Sequence, residues 1–143
     1  MKRHLLIAAA AMGLAALTDA PAYAGDPAGV WTAAEGKSRV RVAPCGKNIC
    51  GNVAWLREPN DDDGKPKLDK QNSNTALRTR PILGVPILLS MAPDGTDKWK
   101  GSIYNAEDGK TYAATFTLTG ANSAQVQGCV AGIFCKSQTW SRN

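Results

Sequence analysis

WKGSIYNAEDGKTYAATFTL, Trp99 to Leu118, is two short strands around one turn. In its second half Tyr112, Ala114, Phe116 and Leu118 share one face, while Thr111, Thr115 and Thr117 share the other. A repeat of two is the period of a half-buried strand. Asn105-Ala-Glu-Asp-Gly109 supplies the turn, so the stretch predicts a β-hairpin.

The same pattern recurs outward in both directions. Ser38 to Val42 alternates strictly, with Val40 and Val42 opposite Arg39 and Arg41. Gly46-Lys47-Asn48 makes a turn, and Ile49 to Leu56 returns with Val53 and Trp55 on one face. Gly29 to Thr32 is a short opening strand. Ile82 to Leu89 is an apolar run whose Pro86 predicts an edge position, a bulge or a kink. Pro93-Asp94-Gly95 turns toward the central hairpin, and Gly120-Ala-Asn122 turns away from it into Ala124 to Val130. Lys136 to Arg142 closes the chain, while Arg57 to Asn74 is a long polar stretch. Roughly eight short strands about 12 residues apart, with no amphipathic helix, predict an all-β sandwich or antiparallel up-and-down barrel.

The N-terminus carries a different signal. Met1-Lys2-Arg3-His4 is a basic start, Leu5 to Leu17 is apolar or small, and Ala22-Tyr23-Ala24 is a small-x-small cleavage pattern. The apolar stretch is shorter than the roughly 18–20 residues of a spanning helix. Residues 1–24 are therefore expected to be a removed signal peptide, and 25–143 a single exported domain, periplasmic or secreted. No transmembrane anchor is expected. The only histidine, His4, leaves with the signal. Without an imidazole, Ser–His and Cys–His catalysis and the common histidine zinc sites are excluded. No catalytic motif pairs the remaining carboxylates, lysines or tyrosines, so neither an enzyme nor a cofactor is expected.

The full chain holds 17 basic and 12 acidic side chains; with Lys2, Arg3 and Asp19 gone, the net charge is about +4. That modest, scattered excess suits solubility and is not a nucleic-acid footprint.

Four cysteines remain, Cys45, Cys50, Cys129 and Cys135. In an oxidising compartment they read as disulfides, with three connectivities open. Chain entropy favours long-range bridges, about 4.5 kcal/mol against about 2 for short loops. Geometry favours the local pairs Cys45–Cys50 and Cys129–Cys135, because both ends of a tight turn already lie within bridging distance. A four-thiolate zinc site lacks its C-x2-C spacing, and no metal is expected. Asn60-Asp61-Asp62-Asp63-Gly64 resembles the start of a calcium loop, but EF-hand alignment puts Pro59 at the first ligand and Lys70 at the last. A solvated acidic loop is preferred.

Gly29-Val30-Trp31 and Arg142 resemble the lipocalin-like barrel ends in which a Gly-x-Trp seats an indole and a basic side chain crosses it. The resemblance implies a cation–π contact between Arg142 and Trp31 that closes the barrel. The full order of motifs is broader. Gly29-x-Trp31, Cys45-Gly46, Cys50-Gly51, Trp55-Leu56, Asp69-x-x-Asn72 and Arg78-x-Arg80-Pro81-x-x-Gly84 come first. Trp99-x-Gly101-x-Ile103-Tyr104, Asp108-Gly109-Lys110-x-Tyr112, Gly128-Cys129 and Cys135-x-x-Gln138-x-Trp140 follow. From about Gly29 to the C-terminus this resembles the exported bacterial family catalogued as domain of unknown function 2147. The resemblance implies a lipocalin-like β-barrel and brings no activity with it.

Candidate ligand-binding residues are Trp55, Tyr104, Tyr112 and Phe116 as an apolar lining. Arg78 and Arg80 would share a face in an extended segment and suit a carboxylate or phosphate. The competing expectations are plain core packing for the aromatics and pairing with local acids such as Asp69 for the arginines. The leading functional expectation is a binder of a small apolar or amphipathic ligand, acting as a monomer or weak dimer. The alternative is an envelope protein–protein interaction or inhibitor module without a cavity. A core in which Trp55, Tyr112 and Phe116 pack on one another would count against the binder; an open pocket of several hundred Å³ would favour it.

Overall fold

The computed structural model describes residues 25–143, together with Gly13 and Ala15. The expected signal segment, with His4, otherwise lies outside the described residues. Eight strands follow one another: β1 Gly29–Thr32, β2 Ser38–Cys45, β3 Asn48–Leu56 and β4 Pro86–Pro93. Then come β5 Lys98–Asn105, β6 Lys110–Gly120, β7 Ser123–Val130 and β8 Phe134–Ser141. Each pairs antiparallel with the next, and β8 returns to β1 through the single pair Thr32 and Ser141, closing an up-and-down barrel. Apart from strands, the described residues form only two short 3₁₀ turns, Ala34–Gly36 and Thr75–Leu77.

Alternation sets the inside. Val40 and Val42 of β2, Ala114, Phe116 and Leu118 of β6, Ala124 and Val126 of β7 and Trp140 of β8 are buried in one core with Trp31, Ile49, Leu88 and Met91. Leu88 and Met91 lie three apart, an odd step that puts neighbours on opposite faces. A register shift between Leu89 and Ala92, with Ser90 at φ 45°, inserts the extra residue that turns both inward.

Two expectations need correction. The apolar run from Ile82 is not a strand to Leu89. Val53 and the Ile82–Val85 turn exchange backbone hydrogen bonds, Val53 N–H to Val85 and Gly84 N–H to Val53, and the strand starts at Pro86. Nor do Val53 and Trp55 share a face. Arg39 pairs with Trp55 and Val40 with Val53, so Ala54 is an extra residue and the faces split. Val53 is buried, while Trp55 is 38% exposed beneath the Arg39 guanidinium at 4.5 Å.

The barrel has two unlike ends. One gathers the β2–β3, β4–β5 and β6–β7 turns with the start of β1 and the end of β8. Phe116 is its centre, meeting Trp31, Trp99 and Trp140 edge-on at centroid distances of 5.4, 5.9 and 6.3 Å. Arg142 lies over the Trp31 ring at 4.3 Å and donates to the Ala28 and Ala121 carbonyls. The other end gathers the Thr32–Ser38 connection, the long Arg57–Val85 segment and the β5–β6 and β7–β8 turns. The disulfides divide between them: Cys45–Cys50 spans the β2–β3 turn at the sealed end, and Cys129–Cys135 spans the β7–β8 turn at the open one.

Candidate functional site at the open end

Strand β8 shows what is unusual about the open end. Phe134, Lys136, Gln138 and Trp140 occupy alternate positions and so share the inward face. Trp140 is 2% exposed, but Phe134, on the same face, is 75% exposed. Its cross-strand partner Val130 faces inward from β7 and is 50% exposed. The cause is the length of β1. It leaves the sheet after Thr32, so β8 from Phe134 to Thr139 pairs only with β7 and borders an opening.

The registers arrange the inward side chains in rows. Ile103 pairs with Tyr112, and one step beyond the Ala113–Cys129 pair Tyr112 stands across from Val130, which pairs with Phe134. The row beneath is small until its last member: Gly101, Ala114, Gly128, then Lys136. A Cβ at Gly128 would stand 3.3 Å from Ile103 and 3.7 Å from Tyr112, so the missing side chain gives these two their space. Below lies the aromatic floor around Phe116. A solvent-open recess of about 670 Å³ sits at the rim of this end, bordered by Tyr112 and Val130 from the inward face, by Thr111, Ala113 and Cys129 from the outward face, and by Ser73, Lys110 and Gly132.

One wall depends on a polar anchor. Asp69 is fully buried and its carboxylate accepts from the Tyr104 hydroxyl at 2.5 Å, Asn72 Nδ2 at 2.9 Å and Arg80 Nε at 2.9 Å. Burial pushes this carboxyl up, but the three donors outweigh it and hold it below the usual carboxylate range. Burial, then the hydrogen bond to Asp69, raises the Tyr104 hydroxyl. Arg78 Nε donates to the Asn72 carbonyl at 2.7 Å. The anchored segment presses on the β5–β6 turn, where Gly109 at φ 71° has no room for a side chain, a Cβ meeting the Gln71 carbonyl oxygen at 1.7 Å. Ser73, two residues on, then borders the recess.

A family model described as "Uncharacterized protein conserved in bacteria (DUF2147)" matches residues 29–142. The chain belongs to the DUF2147 family. Among solved structures this DUF2147 barrel is similar to one described as protein HP1028 from the human pathogen Helicobacter pylori, which belongs to the lipocalin family. The TM-score is 0.70 at 26% identity, over 83% of this chain and 84% of that one. No curated protein matches the chain.

The six candidate ligand residues of this DUF2147 chain do not meet at one place. Tyr112 alone lines the recess, with its hydroxyl donating to Asp108. Phe116 is fully enclosed in the floor, and Trp55 faces outward. Tyr104 points away from the lumen, since its neighbour Ile103 packs against the main core while Tyr104 joins Val53 and Val85 in a second cluster under the long segment. Arg80 is committed to Asp69 and Arg78 to Asn72, the pairing with local groups that competed with ligand contact. In the acidic loop, the Asp61 carboxylate accepts from the Asp63 and Lys65 backbone, a local turn. The residues sequence reasoning missed are Val130, Phe134 and Lys136. Phe134, Lys136, Gln138 and Trp140 alternate in one strand, but the strand's start at Phe134 and the exposure of that face follow from the fold rather than from local pattern.

Proposed function

We propose that this DUF2147 protein is an exported binding protein, acting without catalysis, that holds a small apolar or amphipathic molecule in the open-end recess. The carrying observation is the inward-facing pair Val130 and Phe134, exposed in a barrel whose other inward apolar side chains pack together. An apolar wall on the lumen side, next to a recess bordered by Tyr112, suits a ligand that supplies the missing contacts. Likeness to a lipocalin-family protein supports the reading at the level of fold. Two disulfides support the oxidising address, with removal of residues 1–24 as the route to it.

Native mass spectrometry of the protein taken from its own envelope tests this directly. The expected spectrum shows a chain starting at Gly25 carrying a bound small molecule, lost in Phe134→Asp. The interaction-module alternative draws on Ile133 at the β7–β8 turn, 76% exposed. A bare chain with a stoichiometric protein companion would replace the binder with that alternative.

A further inference from the structure

Resting on that binding reading, we infer that the ligand is an anionic amphiphile whose carboxylate head is received by Lys136. Lys136 is the only charged residue among the inward positions of β7 and β8, the remainder being Ala124, Val126, Gly128, Val130, Phe134, Gln138 and Trp140. It pairs with Gly128 and ends the row of small residues, so no side chain across the strand pair covers its stem. It enters none of the ion pairs among the described residues. Glu35, on the Ala34–Gly36 turn that touches β8, feels its charge but is already bonded to Lys37 at 3.0 Å. Lys110, the cation that borders the recess itself, stands beside Asp108, whose carboxyl it helps to hold down.

The apolar pair Val130 and Phe134 lies two residues toward the mouth from Gly128 and Lys136, about 7 Å along the strands. A charged head at Lys136 therefore leaves the first few carbons of an apolar tail against Phe134, Val130 and Tyr112. A neutral molecule of the same length gains the apolar contacts but not the ammonium. A charge-assisted hydrogen bond separates the two by about tenfold in affinity.

Calorimetric titration of the full exported chain with decanoate and with 1-decanol reads this preference. Wild type is expected to bind decanoate about tenfold more tightly. Lys136→Gln is expected to bring the two ligands together by weakening decanoate alone, whereas Lys47→Gln, with the same charge change in the β2–β3 turn of the sealed end, preserves the preference. Equal binding of the two ligands by wild type, or a preference that survives in Lys136→Gln, overturns the assignment to Lys136 while leaving the binding reading intact. Failure of wild type to bind either overturns both. Near-ultraviolet circular dichroism matching wild type confirms that Lys136→Gln is folded.

Discussion

The two ends of this barrel are built on the same strands with the same alternation, yet one is filled and the other is not. At the sealed end Trp31, Phe116 and Trp140 occupy the lumen and Arg142 covers the indole from outside. At the open end the equivalent inward positions hold Tyr112, Val130, Phe134 and Lys136, and water reaches them. The difference lies in what surrounds the strands. The sealed end has β1 between β8 and β2, whereas beyond Thr32 the strand gives way to the short 3₁₀ turn Ala34–Gly36, which touches β8 without pairing to it. Stability is thus concentrated at one end and accessible apolar surface at the other.

The sharpest way to break this comparison is to truncate one large inward side chain at each end. Trp31→Ala removes a fully buried ring that packs on Phe116 in the aromatic floor and is expected to cost about 3–5 kcal/mol in urea unfolding. Phe134→Ala removes a comparable ring that buries little, and its cost is expected to stay within about 0.5 kcal/mol. Ligand affinity should respond in the opposite sense, surviving in folded Trp31→Ala and falling in Phe134→Ala. Equal stability costs at the two positions would show that Phe134 is core after all.

The next largest effect concerns the loop that Asp69 anchors against β5 and the β5–β6 turn. Asp69→Asn leaves Arg80 without its counter-charge and weakens the bonds from Tyr104 and Asn72, at an expected cost of about 2–3 kcal/mol. The folded state holds the Asp69 carboxyl below its ordinary range. Its contribution is therefore complete above about pH 4 and disappears as pH falls through the lower folded value. Unfolding midpoints of wild type and Asp69→Asn should differ at pH 7 and converge as the pH falls through the lowered folded value. A gap that is constant with pH would mean that the carboxylate charge does not hold this loop. Limited proteolysis should cut the Arg57–Val85 segment first in the variant, with the sealed end untouched.

The ends also differ in how legible they were. Strand alternation and the local cysteine pairs depend on short spacings and could be read from residues in order, whereas the Trp31–Arg142 closure came from the resemblance to lipocalin-like barrels. Trp55 was placed on the wrong face because one extra residue at Ala54 reverses every side chain after it. Tyr104 and Tyr112 sit in paired strands, and alternation says only that they face apart if their registers are known. Asp69 meets Tyr104 across 35 positions, which no local pattern encodes. The exposed inward face of β8 was hidden twice. The strand begins at Phe134, two residues before its sequence signal, and the exposure arises only because β1 stops early.

The disulfides give the smallest effect and the cleanest separation of the two ends. Cys45–Cys50 and Cys129–Cys135 close loops of similar length, with sequence separations of 5 and 6. Chain entropy assigns each about 2 kcal/mol, so the serine pairs Cys45→Ser/Cys50→Ser and Cys129→Ser/Cys135→Ser should lower stability alike. Their functional consequences should not be alike. Cys129 and Cys135 pair across β7 and β8 immediately next to Val130 and Phe134, and losing the bridge lets that wall of the recess splay. Binding is then expected to weaken in the open-end pair and to persist in the sealed-end pair, measured well below the unfolding temperature of both. Weakening of equal size in both would mean that the recess senses global stability, and the division of labour between the ends would fall.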